Sequence, residues 1–418
     1  MKIGFLVIGS EILDGKITDL NTKTLADYLK SQNYDLSLAL TVRDEDKAIT
    51  SGLKILFDQC DAVITSGGLG PTLDDITKQT IAQFLDRKIE YSSEAEEVAR
   101  KNYLKFEREF PGKTHGYCHL PEGFLALNNS SGFAPNLFTK HGEKYLICGP
   151  GVPREFKSML DDHVYPKILT HYKTEECIGS FNIRTKKVPE EKIFTEVDKD
   201  LWKKLSQYGD VSSLPIFYGV DIGVKIRAQS EAELEEKKSN VLKVIESSPV
   251  KDHVWHIGRE SLEEVILAKA KEKNLKFGFA ESCTGGLCSH RMTSVSGSSA
   301  SFMGGVVSYD NSVKENLLHV KAETLKNFGA VSIETACEMA SGLLNELSLD
   351  IAISITGIAG PGGGSPEKPV GTVCIGVSIK GATPVAEKFK FFGDREQLKN
   401  RFSQAALMLL LENVEKLA

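Results

Sequence analysis

Residues 61–77 read DAVITSGGLGPTLDDIT, an apolar run that ends in three glycines within four residues, a proline and two adjacent aspartates. A short β-branched run halted by glycine and proline, then followed by residues able to start a helix, reads as a buried strand feeding a loop and a helix. The segments before it keep the same rhythm. KIGFLVIG (2–9) and LSLALTV (36–42) are strand-like and Asn21–Gln32 has helical apolar spacing. Asp44 is placed to cap a helix running to about Cys60. Such alternation predicts a parallel sheet covered by helices, with ligands at the carboxyl ends of its strands. The glycine loop stands at one of those ends. Further on, NLFTKHGEKYLICGP (136–150) reads as a hairpin turning at His141-Gly142 and leading into PGVPREF (150–156).

A chain of 418 residues suggests two or three domains. We read an α/β amino-terminal domain over 1–169, a small α+β module over 170–258 and a second α/β domain over 259–418. The middle segment alternates strand-like stretches with charged helical ones at 189–205 and 231–247 and carries no evident catalytic motif. The last domain repeats the strand-then-loop signal, with LKFGFA before ESCTGG, MGGVVSY over 303–309, and DIAISITG entering GIAGPGGGSPEKPVGT.

Net charge is −6 with no dense run of Lys and Arg, so the electrostatic footprint of nucleic-acid binding is missing. The 8 cysteines are scattered without the short spacing of a zinc site, which points to buried reduced thiols. No apolar run reaches the roughly 18–20 residues of a membrane span. The start, MKIGFLVIGSEILDG, does not read as a signal peptide. A cytoplasmic protein is the expectation.

The opening loop is neither a Walker loop nor a G-x-G-x-x-G turn. Its glycines let backbone amides approach a ligand, and amides at a strand–helix junction favour phosphate. Asp74 and Asp75 would repel a bare phosphate unless one caps the helix expected to start at Asp75 or Ile76, or a divalent cation bridges carboxylate and phosphate. Glu11, just after the first strand, adds a carboxylate at the same predicted sheet edge.

In the last domain, AESCTGG (280–286) sets Ser282, Cys283 and Thr284 before two glycines. A nucleophile on a strand-to-helix turn is exposed, and nearby amides can stabilise an oxyanion. In SYDNSVK (308–314), Asn311 is a candidate cap, which puts Lys314 at the third helical position near the positive end of the dipole. Partial burial there would lower its pKa and let a neutral amine serve as base, with Tyr309 relaying a proton or orienting it. Cys283, in an apolar context without an evident histidine, is a competing nucleophile, as is Thr284.

Two sets of motifs resemble one family. GSEIL-G, Asn21-Thr22, TSGGLGPT-DD-T and GPGVP-E look like the amino-terminal domain of the CinA family, which is similar to molybdopterin-binding domains. AESCTGG, GSSASFMGGVVSYDNSVK, GAVS, SITGIAGPGGGSPEKPVGTV and Arg401 look like its carboxy-terminal domain. For the first domain the resemblance implies an ADP-ribose pyrophosphatase that uses a divalent metal (Mg or Co) and K. Glu11, Gly67, Gly68, Gly70, Thr72, Asp74 and Asp75 would line that site, with Gly149–Pro153, Gly151 among them, on its rim. Asp74, Asp75 and Glu11 would be its metal ligands, and Asp75 a catalytic residue as well.

For the last domain the resemblance implies hydrolysis of nicotinamide mononucleotide to nicotinate mononucleotide and ammonia, without a cofactor. Ser282 would be the nucleophile, with Tyr309 and Lys314 activating it. Thr356, Gly357, Gly360, Gly362, Gly363 and Gly364 would cradle the phosphate. Glu281, Thr284, Gly285, Gly286 and Arg401 complete the expected substrate contacts. A homodimer is implied as well. The other readings are a nucleotide- or pterin-binding module and an interaction protein linked to competence or repair.

Overall fold

The computed structural model describes residues 1–72, 75–112, 116–171 and 176–417. Asp74, expected as a metal ligand, lies outside the described residues. The chain divides into two compact units, Met1–Gly179 with Ile226–Lys237 and Ser180–Lys225 with Lys238–Ala418.

The first unit is built on strands β1 (Ile3–Ile8), β2 (Leu36–Val42) and β3 (Ala62–Ser66). A short ladder of β4 (Ile89–Tyr91) and β5 (His119–Pro121) follows, then β6 (Leu125–Leu127), β7 (Asn136–His141) and β8 (Lys144–Gly149). Sheet order is β2-β1-β3-β8-β7-β6. The β1–β2, β1–β3 and β3–β8 pairs are parallel, while β7–β8 and β6–β7 are antiparallel. Every residue of β1 is buried, as a strand covered on both faces requires.

Alternate residues of β1 serve opposite layers. Leu6 and Ile8 meet Leu53 and Leu56 of the helix Asp46–Gln59 on one side. Ile3, Phe5 and Val7 meet Leu25, Leu29 and Phe156 on the other. Leu25 and Leu29 stand four apart on the helix Asn21–Ser31, so one stripe faces the sheet. Burying each such leucine contributes about 1.5–3 kcal/mol. The expected three-layer α/β arrangement is present.

Local details differ from the sequence reading. Asp44 does not cap the following helix. Its Oδ2 accepts from the Ser10 amide at 2.7 Å while its own amide donates to the Ser10 hydroxyl, tying the ends of β1 and β2 together. The hairpin turns at residues 142–143, since His141 pairs with Lys144.

The remaining strands form two sheets, and all of them lie in the second unit except for Cys177–Gly179 and Ile226–Ala228. Strands β9 (Cys177–Thr185), β10 (Asp210–Ile216), β11 (Gly219–Ala228) and β12 (Val254–Gly258) form the first, ordered β10-β11-β9-β12. Strands β13 (Phe277–Glu281), β14 (Phe302–Val307), β15 (Ile351–Gly357), β16 (Thr372–Ile379) and β17 (Val385–Lys390) form the second, ordered β14-β13-β15-β16-β17. Trp255 of β12 belongs to the same apolar core as Phe277, Ile353 and Phe402. Lys186 adds an ion pair to Glu412 at 2.8 Å. Strand β13 lies parallel to both neighbours, so the chain reverses its direction of winding there, and the crevice at such a switch point is where α/β sheets bind ligands.

The cysteines are unpaired, and Cys60, Cys118, Cys148, Cys283, Cys288 and Cys374 are buried. Among the described residues no helix is long and apolar enough to cross a membrane.

Candidate functional sites

At the carboxyl ends of β13 and β15 the second unit has a cavity of about 240 Å³. Ser282, Cys283, Tyr309 and Lys314 reach it from one side, and Thr356, Gly357, Gly360, Gly362 and Gly363 from the other. Residues distant in sequence are thus brought to one sheet edge. Glu281, Thr284, Gly285, Gly286, Gly364 and Arg401, expected as substrate contacts, are not among its lining residues.

Glu281 has a different task. Fully buried, it accepts from the amides of Gly286 and Cys288 through Oε2, and from the Ser289 amide and hydroxyl through Oε1. A carboxylate so placed compensates the free amides at the start of the helix Leu287–Thr293. Those three amides are therefore taken and cannot serve as oxyanion donors. Gly285 and Gly286 turn the chain with φ of +64° and +96°. Arg401 donates to the Phe392 carbonyl, a structural role.

Lys314 is 1% exposed. Its ammonium donates to the carbonyls of Ser308 at 2.8 Å and Tyr309 at 3.2 Å. Burial pulls its pKa below the ordinary lysine value, with the Asp310 charge opposing the fall. The helix cap is Asp310, not Asn311, because the Asp310 side chain accepts from the Ser312 amide. Lys314 consequently stands one position deeper in the helix than its spacing suggested. Tyr309 orients the lysine through its carbonyl, while its phenol takes a hydrogen bond from Arg395 Nη2 at 3.4 Å.

Ser282 and Cys283 both border the cavity, but burial pushes the Cys283 thiol up to about 12. Little thiolate would exist near neutral pH, which leaves the serine as the better-placed nucleophile.

Arg395 is the residue that sequence reasoning missed. It lines the cavity and donates to the Gly360 carbonyl at 2.5 Å. A signal was available: Asp394 and Gln397 form a capping box, so Arg395 is the first residue of the helix Arg395–Lys416. A cation at that end opposes the helix dipole.

The first unit has a larger cleft, about 840 Å³, at the carboxyl ends of β1, β3 and β8. Glu11, Gly67, Gly68, Gly70, Asp75 and Gly151 line it as expected. Thr72 does not, but holds Asp75 instead: its amide donates to Asp75 Oδ2 at 3.0 Å and its hydroxyl donates to the same oxygen. Asp75 caps no helix, since the next one, Thr77–Phe84, begins after Ile76. Asn21 clamps the loops by donating to the Ser66 hydroxyl and the Gly151 carbonyl at 2.7 and 2.9 Å.

The glycines are needed for space as well as conformation. A Cβ on Gly70 would lie 2.2 Å from Asp75 Oδ2. One on Gly67, whose φ is +112°, would lie 2.1 Å from the Ile8 carbonyl oxygen. Gly67→Ala is expected to lower the stability of this unit by about 1–3 kcal/mol, from strain at positive φ together with the clash. Urea unfolding followed by circular dichroism measures it; an unchanged midpoint would contradict the tight approach.

Two further groups have no role in the sequence reading. Glu155 lines the cleft, and burial raises its carboxyl above the ordinary range despite a 2.7 Å hydrogen bond from Asn129. Lys78 is buried beside the Asp75 charge, donates to the Gly116 carbonyl, and is lowered to about 8 by desolvation.

Among the described residues no group of three His, Cys, Asp or Glu side chains is close enough to hold a metal by itself. Glu11 and Asp75 are hard oxygen donors on one cleft, and a magnesium-type ion commonly takes one or two carboxylates plus water and substrate phosphates. The donor set fits an ion recruited together with an anionic substrate.

Residues 4–170 match a family model described as "Probable molybdopterin binding domain", and residues 259–414 one described as "CinA C-terminal domain". A CinA-like protein of Kosmotoga olearia is 35% identical over 415 residues, covering 97% of each chain. A CinA-like protein of Chloroherpeton thalassium is 35% identical over 419 residues, covering 99% of each. The crystal structure of competence/damage inducible protein CihA from Agrobacterium tumefaciens is 36% identical, covers 38% of this chain and 98% of that one, and superposes with a TM-score of 0.36.

Proposed function

Since the chain belongs to the CinA family, we propose that its carboxy-terminal cavity deamidates nicotinamide mononucleotide and that its amino-terminal cleft hydrolyses ADP-ribose. The observation that carries the first assignment is Lys314, a lysine removed from water and lowered in pKa on the same small cavity as Ser282. In this reading the neutral amine takes the Ser282 proton as Oγ adds to the carboxamide carbon. The tetrahedral adduct then expels ammonia, leaving an acyl-serine that water cleaves to nicotinate mononucleotide and free serine. Arg395 and the glycine loop supply positive charge and amides for the phosphate or the developing oxyanion.

For the amino-terminal cleft, the support is its larger volume and its pairing of glycine amides with carboxylates. The amides of Gly67, Gly68 and Gly70 would take phosphate oxygens. Glu11, Asp75 and Asp74 would hold the divalent metal, which when bound would neutralise pyrophosphate charge and acidify a water. In this reading Glu155, whose carboxyl burial raises above the ordinary range, would move the proton. The products would be AMP and ribose 5-phosphate. Because Asp75 is turned onto Thr72, a cleft that only holds a nucleotide or pterin is the second reading.

Asp75→Asn separates the two. ADP-ribose hydrolysis with Mg present is expected to fall by about 10²-fold or more while nicotinamide mononucleotide deamidation is unchanged. Full pyrophosphatase activity in the variant would remove the role given to Asp75, and no turnover in the parent chain, with binding retained, would favour the holding role. The same proposal includes a cytoplasmic homodimer, whose mass light scattering measures.

A further inference from the structure

Strand β13 stands between β14 and β15 and runs parallel to both, so all three bring their carboxyl ends to one edge. Ser282 follows β13 directly, Tyr309 lies just beyond the end of β14, and Gly360 just beyond the end of β15. The segments bearing Tyr309 and Gly360 therefore flank the nucleophile, two strand spacings or roughly 10 Å apart.

Arg395 bonds to both of them. Its Nη1 donates to the Gly360 carbonyl at 2.5 Å and its Nη2 to the Tyr309 phenol at 3.4 Å. One guanidinium thus ties together the loops on either side of Ser282. A backbone path reinforces the tie, as the Phe391 amide donates to the Gly371 carbonyl and the Gly371 amide to that of Ile358. The capping box of Asp394 and Gln397 keeps the arginine at the first position of its helix. Among the described residues both of its hydrogen bonds end on neutral oxygens. A guanidinium has five N–H donors in a planar fork, so this one retains donors and its full charge for an anion in the cavity. The cavity is small, about 240 Å³, below the roughly 300–1,000 Å³ usual for drug-sized ligands.

We propose that Arg395 is a strap that closes the phosphate end of the Ser282 cavity and selects a nucleotide whose phosphate is terminal. A phosphomonoester ends in oxygens that the fork and the loop amides can enclose. In a dinucleotide the same phosphorus carries a second phosphate and nucleoside, and that extension would have to leave through the place the arginine occupies. A nucleoside without phosphate leaves the cation unanswered. The selection rests on the deamidase reading, which supplies the nicotinamide ring common to all three ligand classes.

Calorimetric titration of the full-length Ser282→Ala chain, which leaves each ligand intact, measures the selection. Nicotinamide mononucleotide is expected to bind at least about tenfold more tightly than nicotinamide riboside or nicotinamide adenine dinucleotide, the size of one charge-assisted hydrogen bond. Adding Arg395→Ala is expected to weaken the mononucleotide by about 10–10²-fold and the other two by less than about threefold, so the preference vanishes. Arg395→Lys keeps the charge but not the fork that reaches two acceptors. It is expected to retain the preference over the riboside and to lose the preference over the dinucleotide. A parent chain that binds the dinucleotide as tightly as the mononucleotide overturns the proposal. So does Arg395→Ala with the preference intact, or with equal losses for all three ligands, which is the mark of a structural arginine. If the binding order is as expected but the chain with Ser282 intact releases no ammonia from the mononucleotide, the deamidase reading falls and the strap stands.

Discussion

Replacing Ser282 by alanine is expected to stop ammonia release from nicotinamide mononucleotide, by about three orders of magnitude or more, and to leave ADP-ribose hydrolysis at its parent rate. Removing a nucleophile deletes the covalent route itself, and residual turnover then comes from binding alone. The structure supports a clean substitution. The Ser282 amide donates to the Ile355 carbonyl and its carbonyl accepts from Gly285, and neither bond involves the hydroxyl. The turn should keep its shape. Cys283, adjacent and on the same cavity, is the competing candidate, so Cys283→Ser is the paired measurement. Loss of deamidation in that variant, with Ser282→Ala active, would reverse the assignment.

Lys314→Met is expected to reduce kcat/KM for deamidation by about 10²–10⁴-fold, the usual span for a general base. The parent enzyme should gain activity as pH rises along a limb whose midpoint lies below 10.5, the ordinary lysine value, because burial holds the folded-state pKa under it. Methionine should erase that limb. Stability supplies an independent readout. Between the folded and unfolded pKa values the unfolded chain binds the extra proton, so stability rises with pH across that window and falls as pH drops through it. The variant loses this slope, and its melting temperature below the window should equal or exceed the parent's, since a buried amine gives way to an apolar chain. A large fall in melting temperature together with lost activity would mark Lys314 as structural instead.

The architecture was legible because its signals are local and periodic. The β1 run is apolar throughout, and β3 is halted by glycine at the residue where the sheet ends. The meeting of Ser282 with Lys314 and with the 356–363 loop was also legible, as loops following parallel strands share one edge. What escaped depended on side-chain choices that spacing does not encode. Asp44 and Asp75 have short carboxylates suited to capping, yet each finds a nearer partner in Ser10 or Thr72. Glu281, adjacent to the nucleophile, turns inward to satisfy backbone amides. Three cations that are buried or line a cavity sit near helix starts against the dipole: Lys78, Lys314 and Arg395. Only Lys314 was singled out, although the same electrostatic cost marks all three.

Arg395 opens the helix Arg395–Lys416, whose Phe402, Leu407 and Leu411 fill the core beneath the second sheet. Synthesis proceeds from the amino terminus at about 5–20 residues per second, and domains fold as units once their sequence is available. The first unit's sheet is complete by Gly149, so its cleft can form long before residue 395 is made. The Ser282 cavity must wait for the helix Arg395–Lys416 to bring both its cation and much of its core. A nascent or carboxy-terminally clipped chain therefore carries the two sites at different stages of completion, one assembled and the other still open to solvent.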